Sequence, residues 1–171
     1  KGSPYGYYAL AQNYYYGNGV KSEINLALAN FHLAHDQGVH YALIDISEIY
    51  QKLGQYGDAE KAILQAMQLE PESKVLNLSS VGNKSNSYFI ERKRQLAQIY
   101  SSQGRKNEAI PIWKTILKQN EKYHGVKSEE VAHTMQNLAM AMCSVGFSEK
   151  GIEYLNQSMS IYKTIYKPRA W

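Results

Sequence analysis

The pattern Leu10-Ala11-x-x-Tyr14-x-x-Gly17-x-Gly19-Val20 returns thirty-six residues later as Ile46-Ser47-x-x-Tyr50-x-x-Leu53-Gly54. A fixed period between about 20 and 50 residues constrains a chain more than any single residue does, because each repeat buries its apolar face only against its neighbours. A chain of this kind stacks supersecondary units and presents an extended surface. It is not organised around one central pocket.

The first unit, residues 3–38, shows how one period is built. The small Ala11 lets two helices approach, Tyr14 fills the space beside it, and Gly17 and Gly19 supply turn conformations closed to other residues. Ser22 is expected to cap a second helix, on which Ala27, Phe31 and Ala34 recur on one face before Gly38 ends it. The run Leu-Ala-x-x-Tyr-x-x-Gly-x-Gly-Val followed by Ala27, Phe31, Ala34 and Gly38 resembles the Sel-one-like repeat, a relative of the tetratricopeptide repeat. Thirty-six residues before Gly38 stands Gly2, so Lys1-Gly2 reads as the tail of a preceding unit, and contact with upstream repeats of the same chain is expected.

The second unit, residues 40–71, places Leu43, Ile46, Ser47, Tyr50, Gly54, Ala59, Ile63, Ala66 and Pro71 at the offsets of the ordinary tetratricopeptide repeat, which it resembles. The next corresponding glycine, Gly104, lies fifty residues beyond Gly54, which leaves residues 72–87 as a surface insertion rich in Ser and Asn. Within it Val75, Leu76, Leu78 and Val81 are spaced for a short helical turn, and the segment reads either as a tolerated loop or as a binding element.

The third unit, residues 88–124, carries Leu96, Ala97, Tyr100, Gly104, Ala109, Trp113 and Ile116. The fourth, residues 128–167, carries Leu138, Ala139, Met142, Gly146, Gly151 and Leu155. Their forty-two-residue offset, the long second helix through Tyr123 and the cap at Ser128-Glu129-Glu130 are similar to the kinesin-light-chain type of tetratricopeptide repeat. Gly151 stands where that type has Ala, and Met142 where it has Tyr, which marks the fourth unit as the most degenerate. Pro111 is expected at the edge of a first helical turn capped by Asn107, where a missing N–H costs little. The expected fold is all-α, an α-α superhelix or solenoid of about four helix-turn-helix repeats over residues 1–171.

In stacked hairpins the first helix of each unit lines the inner groove, and its groove-facing residues fall three or four apart between core positions. The tetratricopeptide resemblance assigns to that groove Tyr5, Tyr8, Gln12 and Tyr15, then Tyr41, Ile44, Glu48 and Gln51, then Arg94 and Gln98, then His133 and Asn137. Tyr is a frequent contact residue because it offers area at low conformational cost, so the aromatic end is the expected peptide-binding patch. The alternative is that these tyrosines pack against a preceding repeat. The family's clamp of Lys, Asn and Arg for a C-terminal carboxylate is not matched, since its positions hold Ile44, Glu48, Gln95, His133 and Asn137. The resemblance also puts Asn137 where the kinesin-light-chain type has an amide that bonds a bound peptide's backbone.

Composition sets limits on the partner. Residues 1–85 hold 6 Lys/Arg against 8 Asp/Glu, whereas residues 86–171 hold 13 against 7. The basic residues are spread through helical patterns, and no nucleic-acid reading motif is present, so a protein or peptide is the expected partner and nucleic acid is not. No apolar run approaches the roughly 18 residues a membrane span needs.

Catalytic and metal chemistry find little support. His32, His35, Asp36 and His40 have ligand-like spacing, but on a repeat's second helix they lack a converging third ligand. Cys143 lies ten residues from His133 on one helix, roughly 15 Å away and too far for an ion pair. Gly17-Asn18-Gly19 joins two helices and is not followed by the Lys-Ser/Thr of a phosphate loop. The expectation is therefore a non-catalytic interaction scaffold without cofactor or metal. The alternative is a spacer or assembly segment of a larger bacterial envelope or secretion-associated protein, which the Sel-one-like resemblance implies and which would place it in the periplasm or envelope.

Overall fold

The computed structural model describes residues 2–69 and 82–166, the side chains of 82–87 excepted. Among these residues there are eight helices and no strand, the all-α solenoid class of stacked helical hairpins. They are α1 (Pro4–Tyr16), α2 (Ile24–Asp36), α3 (Ala42–Lys52), α4 (Tyr56–Leu69), α5 (Gly82–Ser102), α6 (Lys106–His124), α7 (Glu129–Ser144) and α8 (Ser148–Ile165). They fall into two compact units, residues 1–86 and 87–171.

In the first unit, Pro4 opens α1, where its fixed φ suits a first helical turn. Gly17 closes it at φ 75, donating its N–H to Asn13, a conformation that costs other residues a Cβ clash with the backbone. The chain then returns along the helix it has just left, with the Glu23 N–H on the Tyr14 carbonyl at 2.9 Å. That return displaces the expected cap. Glu23, in extended conformation, occupies the N-cap of α2, and the Ser22 hydroxyl donates to the Tyr15 carbonyl at 3.1 Å. Gly54 repeats the positive-φ device between α3 and α4 at φ 73.

The core of this unit is the side of each helix that the periodicity marks: Ala11, Ala27, Phe31, Ala34, Leu43, Ile46, Ala59, Ile63 and Ala66 are all buried. Ala27-Phe31-Ala34 and Ala59-Ile63-Ala66 share a small-large-small order, so one bulky side chain fits where two small ones let the helices close. Ser47 is polar at a position that must be small. Its hydroxyl is fully buried and donates to the Ala59 carbonyl at 2.9 Å, which satisfies it and ties α3 to α4.

Helix α5, which leads into the second unit, begins at Gly82, six residues before the expected repeat boundary, so residues 82–87 of the expected insertion are helical. Asn and Ser there are weak helix formers and not breakers, and the helix anchored by buried Phe89 and Ile90 runs back over them. Pro71 and the expected apolar turn at Val75, Leu76, Leu78 and Val81 lie outside the described residues. The helix after Arg105 starts at Lys106 and not after Asn107, which puts Pro111 inside α6, past the first turn. Proline has no N–H, so the Asn107 carbonyl loses its ladder donor. Pro111 and Asn107 are both on the exposed side, so the freed carbonyl is open to hydration and the cost is small. The cap at Ser128 forms as expected, its hydroxyl accepting the Val131 N–H at 3.3 Å.

Trp113 is the large residue of this unit's core, in one buried cluster with Ile90, Ala97, Ala109, Ile116 and Leu138 among others. Two buried polar links join neighbouring helices. Asn120 donates to Thr134 Oγ1 at 3.0 Å, and the Ser158 hydroxyl donates to the Ala132 carbonyl at 2.8 Å.

Gly151 is where the structure gives a degenerate position a reason. A Cβ at this buried glycine would stand 2.3 Å from Cys143 Sγ and 3.0 Å from the Ala139 carbonyl oxygen. The glycine in α8 and the cysteine in α7 are therefore a fitted pair. Gly151→Ala is expected to destabilise the second unit by about 1–2 kcal/mol, overpacking outweighing the gain in helix propensity. Adding Cys143→Ala should recover most of that loss, as read by urea denaturation of the single and double variants. A Gly151→Ala protein more stable than the parent would contradict the close approach.

Candidate functional site

The tyrosines of α1 and one side of α3 form an aromatic and acidic face in the first unit. Tyr8 lies edge-on to Tyr41, with ring centroids 4.8 Å apart, and to Phe31 at 5.4 Å. Its hydroxyl donates to Asp45 Oδ2 at 2.9 Å and accepts from Gln12 Nε2 at 3.2 Å. Two turns further along α1, the Tyr15 hydroxyl donates to Glu48 Oε1 at 2.8 Å. Lys52 bonds the Tyr15 hydroxyl, pairs with Glu48 at 3.0 Å, and sits 4.4 Å over the Tyr15 ring.

The spacing explains why these groups meet. Residues 8, 12 and 15 of α1, and the N-cap Tyr41 with 45, 48 and 52 of α3, recur at three or four, so each set forms a stripe, and the two stripes face each other.

Electrostatics on this face depart from the ordinary. Burial pushes the Asp45 carboxyl up to about 6, only partly countered by the Tyr8 hydrogen bond. Burial also raises the Tyr15 hydroxyl, while the bonds to Tyr15 and Glu48 hold the Lys52 ammonium above its usual value. The Tyr41 hydroxyl is raised by burial first, then by Tyr5 and Asp45 nearby.

Of the residues named from sequence, Tyr8, Gln12, Tyr15, Tyr41 and Glu48 are brought together here, all half-buried. Ile44 and Gln51 are half-buried on the same helix, and Tyr5 is 67% exposed. In the second unit, Gln98 is exposed and Arg94 pairs with Glu91 at 2.8 Å. Asn137 donates to the His133 carbonyl at 3.0 Å, a bond within one helix turn. Asp45 and Lys52 were not singled out from sequence. The available signal was a lone carboxylate in the apolar run Leu43-Ile44-Asp45-Ile46, one turn from Tyr41 and from Glu48.

A second feature of the first unit is a cavity of about 350 Å³ lined by His32, His35, Asp36, Tyr50, Lys61 and Gln65, among others. His32 Nε2 is 3.3 Å from the Tyr50 hydroxyl, His35 Nε2 is 3.3 Å from Gln65 Nε2, and the His35 and His40 rings meet edge-on at 5.4 Å. Burial, then His40, lowers the His35 imidazole. Among the described residues, no three His, Cys, Asp or Glu side chains are gathered as metal ligands would be. Cys143 packs on Gly151 and does not meet His133. Among the same residues, no helix is long and apolar enough to cross a membrane.

Sequence models of the tetratricopeptide repeat match residues 40–73 and 90–164, together more than half of the chain. The chain belongs to the tetratricopeptide repeat family. The first hairpin lies outside the matched residues, and its Gly17 and Gly19 turn is compatible with the Sel-one-like variant of the repeat.

Solved tetratricopeptide structures share this fold. A putative kinesin light chain of Podosopora anserina with nearly identical TPR-like repeats superposes with a TM-score of 0.74 at 15% identity, covering 96% of this chain and 77% of that one. MamA superposes at 0.70 with 12% identity, covering 97% and 82%. The apo form of RapI superposes at 0.76 with 11% identity, and this chain spans 95% of its own length and 57% of that chain. No curated protein matches the sequence. Tetratricopeptide folds of this kind commonly serve as scaffolds for protein and peptide partners and are generally non-catalytic.

Proposed function

We propose that this protein is a non-catalytic scaffold that binds a protein or peptide along the first helices of its hairpins, with the α1–α3 face as the principal contact. The observation that carries this reading is the composition of that face. Tyr5 stands exposed beside the Tyr8–Tyr41 pair, and Asp45, Glu48 and Gln51 edge the rings with acceptors. Aromatic area bordered by carboxylates suits a polypeptide that brings apolar side chains together with backbone N–H groups or a basic residue. Tyr8, Gln12, Tyr15, Tyr41, Ile44 and Glu48 form the floor, and Tyr5 and Gln51 the reachable edge. Arg94, Gln98, His133 and Asn137 offer a more polar contact within the second unit.

Tyr8 and Tyr41 also support the fold, since Tyr8 packs on Phe31. Removing them would confuse binding with folding, so the test uses the edge. A photo-crosslinking residue placed at Tyr5 or Gln51 is expected to capture the same polypeptide, while one at the exposed Lys61 of α4 captures none. Tyr5→Ala with Gln51→Ala should weaken that partner about tenfold, on the order of 1–2 kcal/mol. Capture from position 61 alone would overturn the assignment of the face.

A further inference from the structure

Helices α2, α3 and α4 all contribute to the cavity of about 350 Å³, a size within the roughly 300–1,000 Å³ of small-ligand sites. Its floor is apolar, since Leu43, Ile46 and Ala62 line it and are all buried. Leu43, Ile46 and Tyr50 fall on the side of α3 opposite to Asp45, Glu48 and Lys52, so this cavity is separate from the α1–α3 face.

The repeat pattern explains why the space exists. Ala62 stands three residues after Ala59, and the same offset from Ala109 and Gly151 gives Ile112 and Tyr154, which pack against the core of the second unit. The second repeat thus has a methyl group where the later repeats have large side chains, and the volume these would fill is left open. Two cross-helix contacts brace the walls. His32 Nε2 lies 3.3 Å from the Tyr50 hydroxyl, and His35 Nε2 lies 3.3 Å from Gln65 Nε2.

Charge selects the ligand. Three charged side chains, Asp36, Asp58 and Lys61, line the cavity. Lys61 pairs with Asp58 at 3.1 Å, which leaves the Asp36 carboxylate with no ion pair among the described residues. Asp36 is exposed and is the last residue of α2, where the carbonyl end of the helix adds further partial negative charge. Burial, then His40, lowers the His35 imidazole, so it adds no compensating positive charge near neutral pH. The cavity therefore joins an unneutralised carboxylate to the half-buried rings of His32 and Tyr50, 6.3 Å apart, and to an apolar floor.

A guanidinium on a short alkyl stem matches all three features. Its planar fork donates two N–H bonds to one carboxylate, its face stacks on aromatic rings, and its stem buries against apolar surface. An anion would meet Asp36 and the helix end. The rim residues Asp36, Asp58, Lys61 and Gln65 are exposed and polar, which gives a polypeptide little apolar border to bury. We propose that the cavity between α2, α3 and α4 binds a small free guanidinium compound, with Asp36 as its counter-charge and Tyr50 as its ring partner.

Titration of the isotope-labelled whole chain with n-butylguanidinium, followed by two-dimensional NMR, tests it. The expected result is saturable shifts confined to residues around the cavity, with a dissociation constant on the order of 1 mM, as suits a ligand of this size. The uncharged n-butylurea, of similar shape, should bind at least about tenfold more weakly. Asp36→Asn, a change at an exposed position, should weaken n-butylguanidinium by about fivefold or more. Ala62→Leu should abolish binding by filling the space while circular dichroism shows the helices intact; if it unfolds the unit, Asp36→Asn carries the test. Four results would overturn the proposal: no saturable shifts, n-butylurea or butyrate binding as tightly, affinity unchanged by Asp36→Asn, or a capped Gly-Arg-Gly peptide binding more tightly than the free cation.

Discussion

Trp113→Ala is expected to remove about 3–5 kcal/mol from the second unit, the cost of truncating a fully enclosed aromatic side chain. Trp113 is 2% exposed and belongs to a core that also draws on α5, α7 and α8, so a neighbour that moved into the space would give up packing of its own. A small domain holds only about 5–15 kcal/mol in all, so this one change consumes much of the unit's stability. Trp113→Phe should cost less than about half as much, because it keeps an aromatic plug of similar shape. Urea denaturation followed by far-UV circular dichroism separates the two. A loss below about 1 kcal/mol for the alanine variant would mean that the core closes around the gap, contrary to the packing described.

Asp45→Asn is expected to change how the first unit responds to pH. The Asp45 carboxyl is raised to about 6 by burial, from the ordinary 3.8 of the unfolded chain. The folded state therefore binds this proton more tightly than the unfolded state does. Its contribution to stability is fully present below the unfolded value and is lost as pH rises through about 6. A shift of about two units corresponds to roughly 3 kcal/mol at the limit, and the half-exposed site reduces this to about 1–2 kcal/mol.

The parent protein should thus gain that amount between pH 7.5 and pH 4, relative to Asp45→Asn, which keeps the Tyr8 hydrogen bond and has no proton to bind. His35 works in the opposite sense. Its lowered imidazole contributes stability that is lost as pH falls below the ordinary histidine value. Both proteins retain His35, so its effect cancels in the comparison. Parallel pH profiles for the two would exclude Asp45 as the source. Because Asp45 lies in the proposed contact face, partner binding should weaken over the same range if the carboxylate meets a basic residue.

These two expectations differ in how far the sequence anticipates them. Ala109-Trp113-Ile116 repeats the offsets of Ala27-Phe31-Ala34 and Ala59-Ile63-Ala66, so the burial of Trp113 follows from periodicity, as do the glycine turns and the Ser128 cap. Periodicity reports which side of a helix faces its neighbours, and that is the whole of a core residue's role. The unusual behaviour of Asp45 does not follow in this way, because it depends on Tyr8 arriving from another helix, thirty-seven residues away, to cover it. The end of α1 misled for a similar reason. Ser22 is a good cap by type, but the chain's return along Tyr14 and Tyr15 took its hydroxyl for a different carbonyl. Pro111 lies inside α6 and not at its edge because the helix is capped two residues before the Asn107 that the pattern suggests, and a helix start depends on its last unpaired donors more than on side-chain pattern.

The sequence by itself therefore determined the repeat, the hairpins, the faces they bury and the tyrosine-rich stripe of α1, since all of these are set by spacing along one chain. Only the tertiary structure decided which side chains meet across helices: Tyr8 with Asp45, Tyr15 with Glu48 and Lys52, Ser47 with Ala59, and Cys143 with the empty side of Gly151. Such pairs depend on the axial stagger and rotation of packed helices. The side chains of both partners set these together, and no single helix encodes them.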